Sequence, residues 1–292
     1  MIPGIVGWRR SGASYTGPLD LVPGALFAYS QRAMTGGSTA DSIRLREAGG
    51  DTEQTFALVS NEVSVSAVNT FLNGQDGFGV TYFDQSGNNH HVTNATGTKQ
   101  PQWLSSAVNS KPGFQFDGVN DCLTTSGNVP ILGGAYTVFI VTKKADPADT
   151  GSYIIGTPFS ASYFQFSLFS GVGAVGELVI DAYDDDTGNE CGGVFSPVGT
   201  GTDYHVLEAA FTFGSRSAMM DGESLTEISD RDNVGAPQTI NLPVTLAAFD
   251  DADSDKYGGV IVEVILYPSV LSAGDRLAIR QNISTYYGIT LP

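Results

Sequence analysis

The chain has 292 residues, of which 41% are hydrophobic and 15% are charged, with 36 glycines. This hydrophobic content can build a sizeable core, and the glycine count favours short strands joined by turns. The 31 acidic and 14 basic side chains give a formal net charge of −17, which repels phosphate backbones and argues against nucleic-acid binding. No apolar run reaches the roughly 18–20 residues that a membrane-spanning helix needs, so membrane insertion is not expected.

The first 17 residues show no periodic apolar pattern and are predicted to form an arm before the folded body. They contain prolines and glycines at short intervals, with the basic pair Arg9 and Arg10 beside Trp8. A signal peptide is not indicated, because no basic start is followed by a long apolar core. We interpret residues 1–17 as an attachment arm whose Trp8, Arg9 and Arg10 side chains bind a partner. The alternative is a flexible terminus with no binding role. Residues 18–292 are then one domain.

The body is predicted to be a series of short strands bounded by glycine, proline, asparagine or aspartate. An Asp-Gly pair at residues 221–222 marks a hairpin tip. Helical turns over residues 66–72 are expected to end at Asn73, and a C-terminal helix to run from Ser272 to Gly288 on the edge of a sandwich. The predicted strands cover residues 43–47, 79–83, 113–116, 136–142, 152–155, 163–169, 177–183, 204–213, 244–249 and 259–267.

One segment, Thr81 to His90, runs from a strand end into a dense cluster of turn residues and reads Thr-Tyr-Phe-Asp-Gln-Ser-Gly-Asn-Asn-His. Aspartate and asparagine side chains bond to nearby backbone groups, and glycine accepts a positive φ at little cost. This composition already accounts for a tight turn. We therefore interpret residues 84–88 as structural rather than ligand-binding.

Several motifs accompany this turn: Pro-Gly-Ala-Leu-Phe-Ala-Tyr-Ser at Pro23–Ser30, Gln100–Pro101, Phe116–Asp121, and an apolar strand at Val262–Tyr267. Together they resemble the concanavalin A-like, or laminin-G-like, jelly-roll superfamily over roughly residues 19–290. Two groups are similar: the catalytic domain of family 54 α-L-arabinofuranosidases, and phage and prophage virion surface proteins. The resemblance implies an all-β jelly-roll β-sandwich with short helices, one of them C-terminal.

The resemblance to arabinofuranosidases also implies a pair of catalytic carboxylates, which a retaining glycosidase holds about 5–5.5 Å apart. Asp181 matches a family aspartate, but the nucleophile position falls on Tyr183, and Asp251 is the nearest match to the acid. Asp184, or the two acidic residues after it, could replace the missing carboxylate only if the strand slipped by one residue. A tyrosine nucleophile occurs in other glycosidases but needs an activating group.

Sugar binding requires aromatic faces beside planar hydrogen-bonding groups. The aromatic candidates are Tyr82, Trp103, Tyr163, Tyr183 and Tyr257, and their polar partners are Asp84, Gln85, Asn88, Asp181 and Asp251. For each aromatic residue, packing in the core is the alternative.

Alternating carboxylates at Asp251, Asp253 and Asp255 suggest a calcium loop, with a solvated acidic loop as the alternative. Lys256 and Val262 occupy positions where an EF-hand requires glycine and glutamate, so an EF-hand is excluded. No other cofactor is expected. The sequence leaves open whether Cys122 and Cys191 pair.

The resemblance to virion proteins, together with the acidic body and the basic arm, implies a non-enzymatic surface protein of a phage or phage-like particle, such as a head fibre, spike or decoration protein. It would contact host surface polysaccharide, join other virion structural proteins through the arm, and form a homo-oligomer. It would be made in the bacterial cytoplasm and act on the virion surface. One alternative is a glycoside hydrolase of arabinofuranosidase type, with Asp251 as the acid and an acidic residue near Tyr183 as the nucleophile. Another is a purely structural capsid cement protein.

Overall fold

The computed structural model describes residues 15–131, 135–145, 152–158, 162–169, 177–184, 189–196, 203–232, 240–249 and 256–292. The helices are α1 (Pro18–Leu21), α2 (Val65–Leu72) and α3 (Ala273–Tyr287), with a 3-10 turn at Gly97–Lys99. The strands in chain order are β1 (Phe27–Ser30), β2 (Asp41–Glu47), β3 (Glu53–Val59), β4 (Glu62–Val63), β5 (Gly77–Tyr82), β6 (Val92–Thr93), β7 (Gln102–Val108), β8 (Lys111–Asp117), β9 (Leu123–Thr125), β10 (Val129–Ile131), β11 (Ala135–Lys144), β12 (Ser152–Gly156), β13 (Ser162–Phe169), β14 (Glu177–Asp184), β15 (Asn189–Phe195), β16 (His205–Thr212), β17 (Ser215–Met220), β18 (Glu223–Ser224), β19 (Glu227–Asp230), β20 (Ile240–Leu242), β21 (Thr245–Leu246) and β22 (Gly258–Tyr267).

The strands pair antiparallel in two long runs. One run follows the order β17–β16–β11–β22, and β22 then pairs with β8 through its first half and with β1 through its second half. The other run follows the order β3–β2–β5–β6–β9–β21–β12–β13–β14–β15–β19. The hairpin of β7 and β8 joins the runs, since β7 also bonds to β5. An all-β sandwich is therefore confirmed.

Strand β11 shows why a helix covers one of these sheets. Its side chains alternate, as a strand requires: Val138 and Ile140 belong to the central core, whereas Phe139 belongs to a second apolar cluster. That second cluster includes Ile279 and Ile283 of α3. The prediction that the C-terminal helix packs on the edge of the sandwich is wrong, because β11 and its neighbour β22 are apolar on both faces and α3 covers the outer one.

The predicted element ends are confirmed by their local chemistry. The side chain of Ser272 accepts a hydrogen bond from the Asp275 amide at the start of α3, and Gly288 ends the helix with a φ of 66°. Asn73 ends α2 in the left-handed region, with a φ of 47°. The predicted hairpin tip lies between β17 and β18, with φ values of 51° at Asp221 and 90° at Gly222.

The base of the predicted arm contacts the body. The Tyr15 hydroxyl donates to the Ala33 carbonyl at 2.6 Å, and the Thr16 carbonyl accepts from Asn282 of α3 at 2.8 Å. Trp8, Arg9 and Arg10 lie outside the described residues. Among the described residues, no helix is long and apolar enough to cross a membrane.

Candidate functional site

Strands β13, β14 and β15 bring together several of the residue types that sugar chemistry requires. Tyr183 of β14 lies directly opposite Tyr163 of β13 and Glu190 of β15, and Asp181 lies opposite Gln165. Directly opposite residues, and residues two apart on one strand, share a face of a sheet. These five positions therefore lie on one face, which we call the Asp181–Tyr183 face.

This face is opposite to the one that packs in the central apolar cluster, and its described members Val179 and Asp181 are each only 1% exposed. Leu178 and Ile180 of β14 and Phe195 of β15 belong to the central apolar cluster, and they alternate with the positions of the Asp181–Tyr183 face. Glu190 has no motif of its own in the sequence. It comes beside Tyr183 only through the pairing of β14 with β15.

The pairing of β14 corrects one expectation from the sequence. Its register with β13 runs without a shift from Glu177 opposite Phe169 to Asp184 opposite Ser162. A slip that would move Asp184 into the nucleophile position therefore does not occur, and Asp184 lies on the face opposite to that of Asp181.

Asp181 is buried and paired. Its side chain is 1% exposed, and its Oδ2 accepts a hydrogen bond from Nη1 of Arg231 at 2.7 Å. Gly192 on β15 allows this packing, because a Cβ there would lie 2.5 Å from the Ile180 carbonyl oxygen and 2.8 Å from Oδ1 of Asp181. The carboxylate of Asp181 is thus committed to a buried ion pair, which orders the inner end of the face.

A network of charges holds Arg231 in place. The buried guanidinium of Arg216 on β17 contacts the carboxylates of Glu227, Asp230 and Asp232 on either side of Arg231. Asp232 also accepts a hydrogen bond from the Gly192 amide at 3.1 Å. The segment that carries Arg231 is therefore tied to both β15 and β17.

Two of the predicted aromatic candidates do not offer a surface for a sugar. Tyr82 is 1% exposed and donates its hydroxyl hydrogen bond to the Val262 carbonyl at 2.7 Å. Trp103 is 5% exposed and donates its indole hydrogen bond to Oε1 of Gln31 at 2.8 Å. Both rings fill the core because their strand positions face inward, so their assignment to sugar binding is wrong.

The turn that follows β5 is structural, as interpreted from its composition. The carboxylate of Asp84 is buried and accepts hydrogen bonds from the amides of Ala28, Ser86 and His90, at 2.8, 2.9 and 3.0 Å. The side-chain amide of Asn88 donates to the Leu26 carbonyl at 2.9 Å. The turn thus holds the segment that carries the Pro-Gly-Ala motif, and the two motifs form one structural unit.

The remaining predicted positions lie outside what the structure describes. Asp251, Asp253 and Asp255 are not among the described residues, nor are Asp185 and Asp186. In the part of the chain that is described, no group of three metal-ligating side chains occurs. Cys122 is buried, whereas the side chain of Cys191 is not described.

No protein-family model and no curated protein matches the chain. Solved structures do match, among them an arabinofuranosidase complexed with arabinofuranosyl-α-1,2-xylobiose, with a TM-score of 0.68 and 15% identity over 92% of this chain and 64% of that one. A GH54 α-L-arabinofuranosidase soaked with a cyclic sulfate inhibitor has a TM-score of 0.69 and 15% identity over 92% and 65% of the two chains. The chain thus spans just under two thirds of the length of these proteins. At this identity the likeness shows the fold alone: the chain shares the β-sandwich fold of the arabinofuranosidases.

Proposed function

We propose that this protein is a non-catalytic surface component of a phage or phage-like particle that contacts neutral host glycans through the Asp181–Tyr183 face. The observation that carries the glycan contact is the register of β13–β15, which places Tyr163, Tyr183, Gln165 and Glu190 on one face. Its location on a virion, its homo-oligomeric state and its attachment to other virion proteins through the arm rest on the sequence resemblance.

The chemistry of this face suits a sugar. Sugars present apolar C–H faces that pack on aromatic rings, and hydroxyl edges that bond to amides and carboxylates. The strand register puts two tyrosine positions on the same face as a glutamine position, 165, and a glutamate position, 190. The net charge of −17 disfavours anionic ligands, so a neutral glycan is the best match.

The absence of catalysis in this proposal rests on two positions. Tyr183 stands where the arabinofuranosidase resemblance places the nucleophilic carboxylate. The neighbouring carboxylate, Asp181, is buried in an ion pair with Arg231. Strand β14 therefore lacks a carboxylate at the position of the nucleophile of a retaining glycosidase.

One observation favours a glycoside hydrolase as the second candidate. Positions 183 and 190 lie directly opposite each other on antiparallel strands, and residues so paired are close enough to interact. The carboxylate of Glu190 would be the activating base that a tyrosine nucleophile needs. Asp251 would then be the acid.

The test is retention on immobilised neutral polysaccharides, including arabinoxylan, with released reducing sugar measured in the same samples. We expect retention without release, and weaker retention in Tyr183→Ala but not in the control Val59→Ala, which changes an exposed residue. Release that disappears in Glu190→Gln would establish the hydrolase instead. A folded protein that is neither retained nor active would favour a structural cement protein. Repeating the assay with a chelator tests the calcium site proposed at Asp251, Asp253 and Asp255.

A further inference from the structure

A groove of about 400 Å³ lies where β5, β7 and β8 meet. Phe78 of β5 is opposite Gln102 of β7, which is opposite Gln115 of β8, so three adjacent strands contribute one row of side chains. Asp117 extends this row, because it lies two residues beyond Gln115 on the same face. We call this site the Gln115 groove.

One wall of the Gln115 groove is fixed by hydrogen bonds. The Arg46 guanidinium lies 5.0 Å from the centre of the Phe78 ring and donates to Oε1 of Gln100 at 2.8 Å. It also donates to the Gly97 carbonyl at 3.1 Å. Gln100 is buried and donates its remaining amide hydrogen bond to the Asn94 carbonyl at 2.8 Å. The wall is thus ordered before any ligand arrives, which lowers the entropy cost of binding.

The other wall offers polar groups that are available to a ligand. Gln115 is exposed, and within the described residues its side-chain amide makes no hydrogen bond. The side-chain nitrogen of Gln102 donates a hydrogen bond to Oδ1 of Asp76 at 3.2 Å, which leaves the side-chain oxygen of Gln102 as an acceptor for a ligand. Oδ1 of Asp117 accepts from the amides of Val119 and Asn120 and so orients the carboxylate.

We propose that the Gln115 groove is a second binding site for a neutral, hydroxyl-rich oligosaccharide. It extends the proposed glycan contact to another surface and rests on that function for its class of ligand. Planar amides and a carboxylate match the hydroxyl edge of a sugar. The carboxylate of Asp117 disfavours an anion. The two carboxyl groups of the groove, on Asp117 and Asp121, fall short of the ligand set that calcium requires.

The experiment measures both affinity and stoichiometry by calorimetry with neutral arabino-, xylo- and gluco-oligosaccharides. The informative variants are Gln115→Ala, which removes an uncommitted amide, and Gln115→Arg, which fills the groove. Gln54→Ala is the matched control, because Gln54 is also an exposed glutamine on a strand. Tyr183→Ala reports on the Asp181–Tyr183 face separately.

We expect two sites per chain, with one of them about 10-fold weaker in Gln115→Ala and absent in Gln115→Arg. Tyr183→Ala should remove the other site only. If both Gln115 variants bind as tightly and with the same stoichiometry as the parent, the groove is not a binding site. If Tyr183→Ala changes nothing while Gln115→Arg abolishes binding, sugar binds in the Gln115 groove and not at the Asp181–Tyr183 face. A response to calcium alone, without one to sugar, would overturn the groove proposal.

Discussion

At the scale of single residues, buried carboxylates organise the chain more than they provide chemistry. Asp84 connects positions far apart in sequence, since it accepts a hydrogen bond from the amide of Ala28, which lies 56 residues away. Its other partners close the turn itself. One side chain therefore fixes both the shape of the turn and its place against β1.

We predict that Asp84→Ala lowers the free energy of unfolding by about 3 kcal/mol, because several backbone amides lose their acceptor inside the protein. Asp84→Asn keeps one acceptor oxygen and should cost less. Urea denaturation of both variants measures the difference. A cost below about 0.5 kcal/mol for the alanine variant would show that solvent replaces the carboxylate.

Asp121 is a second informative carboxylate. Burial, together with the negative charge of Asp117, raises the pKa of Asp121 from 3.8 to about 7, although a hydrogen bond from the Asp117 amide acts in the opposite direction. A raised pKa means that folding favours the protonated form. Its contribution to stability is therefore present below pH 3.8 and is lost as the pH rises through about 7.

We predict that Asp121→Asn gains stability relative to the parent as the pH rises from about 4 to about 8, by on the order of 2 kcal/mol. The asparagine oxygen can keep the hydrogen bond from the Asp117 amide, so the turn should be retained. Urea midpoints at several pH values measure this gain. A difference between the two proteins that does not change with pH would contradict the shifted pKa.

At the scale of elements, helix α3 is attached to the sheet through buried charges as well as apolar side chains. Arg32 is 1% exposed and makes two bonds to Glu263 of β22, at 2.7 and 2.8 Å. It also donates to Oδ1 of Asn282 at 2.7 Å, and the Tyr287 hydroxyl donates to Glu263 at 2.9 Å. The sheet and the helix thus share one hydrogen-bonded network.

We predict that Arg32→Met destabilises the protein by about 3–5 kcal/mol, because it leaves the Glu263 carboxylate buried without its cation. The double variant Arg32→Met with Glu263→Leu should recover part of this loss, since no unpaired charge remains. Thermal or urea unfolding of the parent and both variants measures the effect. A double variant that is no more stable than the single one would mean that packing, not charge, sets the cost.

At the scale of the whole molecule, the body begins before the predicted end of the arm. Tyr15 and Thr16 are bonded to Ala33 and to Asn282, so the chain is fixed to the body from residue 15 onward. This allows the proposed attachment function to be separated from the stability of the fold.

We predict that deleting residues 1–14 leaves unfolding unchanged but prevents incorporation into the particle. Deleting residues 1–17 should also lower the unfolding temperature, because the bonds of Tyr15 and Thr16 are lost. Calorimetry and quantitative mass spectrometry of purified particles measure the two effects. Normal incorporation of the 1–14 deletion would refute the attachment arm.

Local chemistry in the sequence was enough to determine the element ends and the all-β character of this protein. The residues that end helices and close turns bond to groups a few positions away in the chain, as Asn73, Ser272, Gly288 and the turn residues around Asp84 show. The strands with a regular apolar pattern, such as β11 and β22, could be found for the same reason. The more polar β7 and β15, which lack such a pattern, could not.

Only the tertiary structure decided which side chains meet and which are buried. Asp181 pairs with Arg231 across 50 residues of sequence, and Glu190 comes beside Tyr183 by strand pairing. The burial of Tyr82 and Trp103 depends on which face of each strand meets the core. Phe78, Gln102 and Gln115 form a row because three strands align in register. The physical reason is that these contacts depend on strand register and sheet order, which are set by the packing of the whole sandwich and not by any local stretch of residues.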